Sequence, residues 1–181
     1  MFRENRAIFL DRDGILNFTA VKNGKSHPPL NLKETIINPS AKLVLPILKQ
    51  EGYLLIGITN QPDVVRGEQK QEVIEEINNH LLNCLPLTEI FVCYHDNEDN
   101  CNCRKPKPGL IFQAAQKYKI SLTNSYMIGD RWKDIEAGKC AGCKTIFIDY
   151  KYNEGHTDTK PDYSVDDISE IIEIIIPNRS K

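Results

Sequence analysis

The sequence predicts an α/β protein built on a single Rossmann-like, mostly parallel sheet with helices on both faces. Two observations carry that expectation. Short apolar runs alternate with segments whose apolar residues recur at helical spacing, and strands separated by helices are the pattern of βαβ units. Polar and charged clusters then fall directly after the apolar runs, where an open parallel sheet places its ligands. At 181 residues the chain suits one domain, residues 1–181, long enough to bury a core.

The first strand is Ala7 to Leu10, an apolar run that stops at Asp11. Ser40 to Gln50 reads as a helix capped by Ser40, with a kink or a late start expected from Pro46. Tyr53 to Thr59 is the second strand, and Glu68 to Asn83 a helix from the spacing of Val73, Ile74, Ile77, Leu81 and Leu82. A strand at Ile90 to Tyr94, a helix from Gly109 to Tyr118 and a strand at Tyr126 to Ile128 follow. A short helix over Ile135 to Ala137, a strand at Thr145 to Ile148 and a helix over Ile168 to Ile176 complete the series. Asp162 to Asp167 reads as an edge strand running into a helix cap.

Composition narrows the class of partner. The formal charge is −2, the sequence pI about 6.1, and Lys and Arg never cluster beyond a few residues. Electrostatic binding to nucleic acid or an anionic membrane is therefore not expected, and a small ligand fits better. The apolar run ending at Asp11 is too short for a signal-peptide core, and no stretch approaches a membrane span. A cytoplasmic monomer is the expectation.

Asp11-Arg12-Asp13-Gly14 places two carboxylates two positions apart at a strand end. One can attack an electrophile while its neighbour protonates the leaving group and later activates water. Taken alone, the motif fits a solvated turn about equally well. Three more clusters shift the balance: Thr59-Asn60-Gln61, Cys103-Arg104-Lys105-Pro106, and Gly129-Asp130 with Asp134, each just after a predicted strand. A Thr hydroxyl and backbone amides can hold phosphate oxygens, Lys105 can neutralise negative charge, and Asp130 can join Asp11 on a hard cation.

Cys93 and His95 are two residues apart, as are Cys101 and Cys103, with Asp96 to Asn100 linking the pairs. Three thiolates and an imidazole make a closed tetrahedral set suited to structural Zn²⁺, and disulfides are the weaker alternative in a cytoplasmic protein. Because Cys103 adjoins Arg104 and Lys105, this loop at 93–103 would hold active-site cations in place. Cys140-Ala141-Gly142-Cys143 closes a helix rather than opening one, so neither a redox pair nor a metal site is expected there. Cys84 reads as a semi-buried helix residue, and His27, His80 and His156 as structural or solvent-exposed.

In order, Asp11-Arg12-Asp13-Gly14, Thr59-Asn60-Gln61, Lys105 and Gly129-Asp130 with Asp134 resemble the four motifs of the haloacid dehalogenase (HAD) superfamily. The resemblance runs from about Ala7 to Ile148, and the second Asp resembles its phosphatase branch. Cys93-Tyr94-His95 with Cys101-Asn102-Cys103-Arg104-Lys105-Pro106 is similar to the zinc loop of the D,D-heptose 1,7-bisphosphate and histidinol-phosphate phosphatases. The resemblance implies a capless HAD fold with a zinc loop; about 43 residues between Gly14 and Ile58 leave no room for a large cap. It implies Asp11 as nucleophile, Asp13 as general acid and base, and Thr59 and Lys105 on the transferring oxygens. Catalytic Mg²⁺ would sit on Asp11, Asp130 and the main-chain carbonyl of Asp13, with Asp134 orienting Lys105 or a metal-bound water.

Specificity then falls to loops: Asn17 to Asn38, Gln61 to Gly67 and the zinc loop. Asn60, Gln61, Arg66 and Arg104 are the candidate substrate contacts. Arg104 argues for a second anionic group, unless it pairs instead with Asp96, Glu98 or Asp99. Pro62-Asp63 stands where the heptose phosphatases usually have Ser-Gly, although Arg66-Gly67 matches. The implied reaction is hydrolysis of D-glycero-D-manno-heptose 1,7-bisphosphate to the 1-phosphate through an aspartyl-phosphate, with histidinol phosphate as the alternative substrate. A nucleic-acid 3′-phosphatase and a zinc-stabilised binding module without catalysis are the remaining readings.

Overall fold

Residues 4–22, 25–152 and 158–177 are described by a computed structural model. Its main sheet holds β1 (Arg6–Leu10), β4 (Tyr53–Asn60), β5 (Glu89–Cys93), β6 (Tyr126–Gly129), β7 (Lys144–Ile148) and β8 (Tyr163–Val165). All pairs are parallel, in the order β5-β4-β1-β6-β7-β8. The chain leaves β1 toward one edge through β4 and returns to its other side through β6. The carboxyl end of β1 is thus a point where strand order reverses, the usual position of a ligand crevice.

Alternation along β1 builds two cores. Ile8 and Leu10 face a cluster with Val44, Leu45 and Leu48 of α1 (Pro39–Gln50) and with Ile77 and Leu81 of α2 (Gln71–Cys84). Ala7 and Phe9 face the opposite cluster, with Leu110, Ile111 and Ala114 of α3 (Gly109–Tyr118) and Ala137 and Ala141 of α4 (Trp132–Ala141). All four β1 residues are fully buried. At about 1.5–3 kcal/mol for each large apolar side chain buried, the strand leading to Asp11 is firmly held. α5 (Ile171–Ile175), entered through a 3₁₀ turn at Ile168–Glu170, seals the α1 side.

Several sequence expectations need correction. Asn38, not Ser40, caps α1: its side chain accepts from the Ser40 N–H, and Pro39 takes the first turn, where no N–H is needed. The helix does not start late at Pro46, because Pro46 and Lys42, whose carbonyl it leaves free, both lie on the exposed face. α4 is a full helix rather than a short one, since its polar first turn carries no apolar periodicity to read. The segment after Asn17 contains an unpredicted hairpin, β2 (Ala20–Lys22) and β3 (Lys25–His27). Cys84 is exposed rather than semi-buried. His156 lies outside the described residues. Among the described residues, no helix is long and apolar enough to cross a membrane.

Candidate active site

The ends of β1, β4 and β6 open into a cleft of about 410 Å³ lined by Asp11, Asp13, Thr59, Lys105 and Asp134 among others. Asp11 continues the β1 ladder through its N–H to the Ile128 carbonyl, 3.0 Å. Its Oδ1 lies 2.8 Å from the ammonium of Lys105, which also meets Asp134 Oδ1 at 2.6 Å and donates to the Ile58 carbonyl at 2.8 Å. Burial alone would push Lys105 down in pKa, but the two carboxylates outweigh it and raise it. Lys105 is therefore a fixed cation on the sheet. Asp134, whose Oδ2 accepts from the Arg131 N–H, orients it.

The two motif carboxylates occupy unlike environments. Burial and the nearby Asp134 raise Asp11 to about 6, against the partial opposition of Lys105. Asp13 is buried too, yet the Arg12 charge and hydrogen bonds from Arg12, Asn17 and Gln61 hold it below the usual value. Thr59 is 1% exposed and its Oγ1 accepts from Gln61 Nε2, 2.8 Å.

Asp130 carries the clearest demand for a cation. Both of its carboxylate oxygens are buried without a hydrogen-bond partner, and burial with Asp11 and Asp134 raises its pKa well above the usual range. A buried carboxylate left in that state costs free energy unless a cation completes it. Ligand oxygens of Asp11, Asp130 and Asp134 all lie within 4.8 Å of one another, so the donor set fits a hard divalent ion such as Mg²⁺. Gly14 makes the approach possible: a Cβ there would stand 2.0 Å from Asp130 Oδ2, and its φ of +96° disfavours any side chain.

A pH dependence follows from these groups. Asp11 and Asp130 both titrate above the unfolded value of 3.8, so the stability they lend metal-free protein is complete below that value. It is lost as pH rises through their folded values. Mg²⁺ competes with those protons, so its stabilisation should grow from pH 5 to pH 8, reaching about 5–10 °C in Tm at a hundredfold excess over Kd. Thermal melts with and without Mg²⁺ check this, and Asp130→Asn should remove most of the metal response.

The second cluster is equally well formed. Among Cys93, Cys101 and Cys103 Sγ and His95 Nδ1, five separations run from 3.2 to 3.7 Å. A tetrahedral ion with ligands at about 2.0–2.3 Å sets its ligand atoms about 3.5–3.8 Å apart. The thiols are free rather than disulfide-bonded, so the set fits a closed site for one borderline-soft cation. A Cβ at Gly109 would lie 2.2 Å from the Asn102 carbonyl, so the loop sits directly on the start of α3. Cys140 is exposed and Cys143 buried, with burial pushing the latter up to about 12; neither joins a metal-ligating cluster among the described residues.

The candidate substrate contacts divide. Asn60 uses its amide on Lys105 at both ends, accepting from the Lys105 N–H and donating to its carbonyl, each at 3.0 Å. Gln61 donates to Asp13, 2.8 Å. Both therefore brace neighbouring cleft residues, Lys105 and Asp13. Arg66 and Arg104 line the cleft and converge on Asp96, at 2.6 and 3.6 Å, while Arg104 also donates to Asn97 Oδ1 and the His95 carbonyl. His27, at the end of β3, lies on the cleft rim. Sequence reasoning passed over Arg12 and Asn17, which donate to Asp13, and Asn78, which accepts from Arg12. The only signal was an arginine set between two acidic residues, and its direction could not be read without coordinates.

Comparison with known proteins agrees with this geometry. The HAD-hydrolase-like family model matches residues 102–171. D-glycero-beta-D-manno-heptose-1,7-bisphosphate 7-phosphatase of Helicobacter pylori strain J99 is 39% identical over 157 residues, 82% of this chain and 85% of that protein. Its namesake in Haemophilus influenzae is 33% identical over 186 residues, covering 94% and 97%. The fold is that of D,D-heptose 1,7-bisphosphate phosphatase from B. bronchiseptica, crystallised with magnesium and phosphate, at a TM-score of 0.77 and 24% identity over 95% of this chain and 98% of that one. Its motif residues gathered at the strand ends and its identity to these relatives place the chain in the HAD-like hydrolases, in the family of the D-glycero-D-manno-heptose-1,7-bisphosphate 7-phosphatases.

Proposed function

We propose that the protein is a Mg²⁺-dependent phosphatase that removes the C7 phosphate of D-glycero-D-manno-heptose 1,7-bisphosphate, leaving the 1-phosphate. The observation that carries the chemistry is the pairing of Asp11, tied to Lys105, with the unpartnered carboxylate of Asp130. The identity to the heptose-bisphosphate phosphatases supports the substrate.

Asp11 attacks phosphorus in line, its carboxylate oxygen forming the new bond as the sugar oxygen departs. Asp13 gives that oxygen a proton and then takes one from the water that hydrolyses the aspartyl-phosphate. Its cage keeps Asp13 ionised in the free enzyme, and the phosphate dianion brought in by substrate pushes its pKa back up toward the protonated form. Lys105 and Thr59 stabilise the transferring oxygens. Asp11, Asp130 and the main-chain carbonyl of Asp13 would hold Mg²⁺, which when bound would supply positive charge between nucleophile and phosphate. Cys93, His95, Cys101 and Cys103 would hold Zn²⁺, fixing the loop that presents Arg104 and Lys105.

Arg104 does pair with Asp96, as Arg66 does, yet both line the cleft, and together they would supply the site for the phosphate that is not cleaved. Each makes charge-assisted hydrogen bonds worth about 1.5–3 kcal/mol, so Arg66→Ala or Arg104→Ala should lower kcat/KM for the bisphosphate by roughly tenfold or more. Hydrolysis of a monophosphate should be largely spared. Steady-state kinetics on the bisphosphate, histidinol phosphate and a 3′-phosphorylated oligonucleotide test the substrate assignment, and a preference for either of the last two would overturn it.

A further inference from the structure

Arg12 is fully buried and is absent from the residues lining the cleft. A buried guanidinium loses its solvation at a heavy cost unless its hydrogen bonds are completed, and here they run toward Asp13. Nη2 donates to Asp13 Oδ2 at 2.8 Å, and Nε reaches both Asp13 oxygens at 3.2 Å. On the far side Nη1 donates to Asn78 Oδ1 at 3.2 Å, anchoring the fork to a buried position on α2. Adjacent residues seldom grip one another by their side chains. The grip fixes the plane of the Asp13 carboxylate, and Asn17 and Gln61 close it from two further directions at 3.0 and 2.8 Å. The Arg12 N–H also donates to Asp11 Oδ1 at 2.7 Å, so one residue meets both carboxylates from behind.

We propose that Arg12, anchored by Asn78, is a positioning residue that aims the Asp13 carboxylate at the leaving oxygen and the hydrolytic water. The inference rests on the acid–base role given to Asp13 above. A carboxylate that must meet a leaving group in one half-reaction and a water in the next needs a held plane, since small misplacement is costly in rate. Lysine could match the charge of Arg12 but not its planar two-point fork.

The test is kinetic and uses the full-length metal-loaded protein. Arg12→Met should lower kcat on the sugar bisphosphate by roughly 10²-fold, the low end of acid–base contributions, with KM changed less than about threefold. Arg12→Lys should recover only part of the loss. With p-nitrophenyl phosphate, whose leaving group needs little protonation, Arg12→Met should release a burst of one nitrophenolate per site before a slow steady state, because hydrolysis of the phosphoenzyme still needs Asp13. In an Asp13→Asn background, Arg12→Met should cost almost nothing more.

Full activity in Arg12→Met, full rescue by Arg12→Lys, or an undiminished further loss in the Asp13→Asn background would overturn the inference. Should Arg12→Met not fold, Asn78→Ala carries the same test, with a smaller kcat loss that must vanish in the Asp13→Asn background. Unimpaired turnover by Asp13→Asn itself would instead remove the acid–base reading on which the inference stands.

Discussion

Asp11→Asn is expected to reduce phosphate release by on the order of 10⁴-fold or more, because an amide oxygen cannot form the acyl-phosphate and the residues acting with it cannot compensate. The fold should persist. Lys105 keeps Asp134 and the Ile58 carbonyl, and the β1 residues before Asp11 are locked between two apolar clusters. The decisive measurement is acid-stable phosphoenzyme after mixing with ³²P-labelled substrate, alongside circular dichroism. Wild type should label at Asp11 and the variant not at all. Label retained in the variant, or phosphate release within tenfold of wild type, would reassign the nucleophile.

Cys101→Ser is expected to lower metal content, stability and turnover together. The closed cluster of three thiols and one imidazole fits one cation, and removing a ligand from such a site should lower metal affinity by more than the roughly 10–100-fold typical of supporting residues. Two consequences follow from the position of the loop. Its seat on α3 through Asn102 and Gly109 should loosen, lowering Tm. The Lys105 main chain, held between Asn60 and the loop, should also lose its fixed position, so kcat should fall by roughly tenfold or more. Elemental analysis should find one zinc per wild-type chain and less than one in the variant. Protein prepared without chelator and free of zinc would refute the assignment.

Much of this was legible in the sequence for a physical reason. Strands buried on both faces, such as Ala7 to Leu10, must be apolar throughout, and the first polar residue after each marks the sheet's exposed end. Asp11, Thr59 and Asp130 are found by that rule, Lys105 by its cluster and the motif resemblance, and Cys93, His95, Cys101 and Cys103 by spacing. What stayed hidden has no one-dimensional signature. The β2–β3 hairpin is three residues a side, with its apolar residues Ala20 and Val21 adjacent and both exposed, too short for a period to register. Asn60 and Gln61 sit beside Thr59 and share its polarity, yet their amides turn inward to brace Lys105 and Asp13. That choice depends on partners forty or more positions away.

The contact of Arg66 and Arg104 with Asp96 has a consequence for how the cleft behaves in different solutions. At the floor, the side chains of Lys105 and Asp11 are 4% and 9% exposed; at the rim, those of Arg66 and Asp96 are 39% and 26% exposed, with Arg104 beneath them at 11%. Dissolved ions weaken charge pairs in proportion to their contact with water, over a Debye length of about 8 Å at physiological ionic strength. Added salt therefore acts on the rim and leaves the floor alone. Capture of a substrate with two phosphates becomes sensitive to ionic strength while bond breaking is insulated from it, so a rise in ionic strength would slow this enzyme through substrate capture without altering its chemistry.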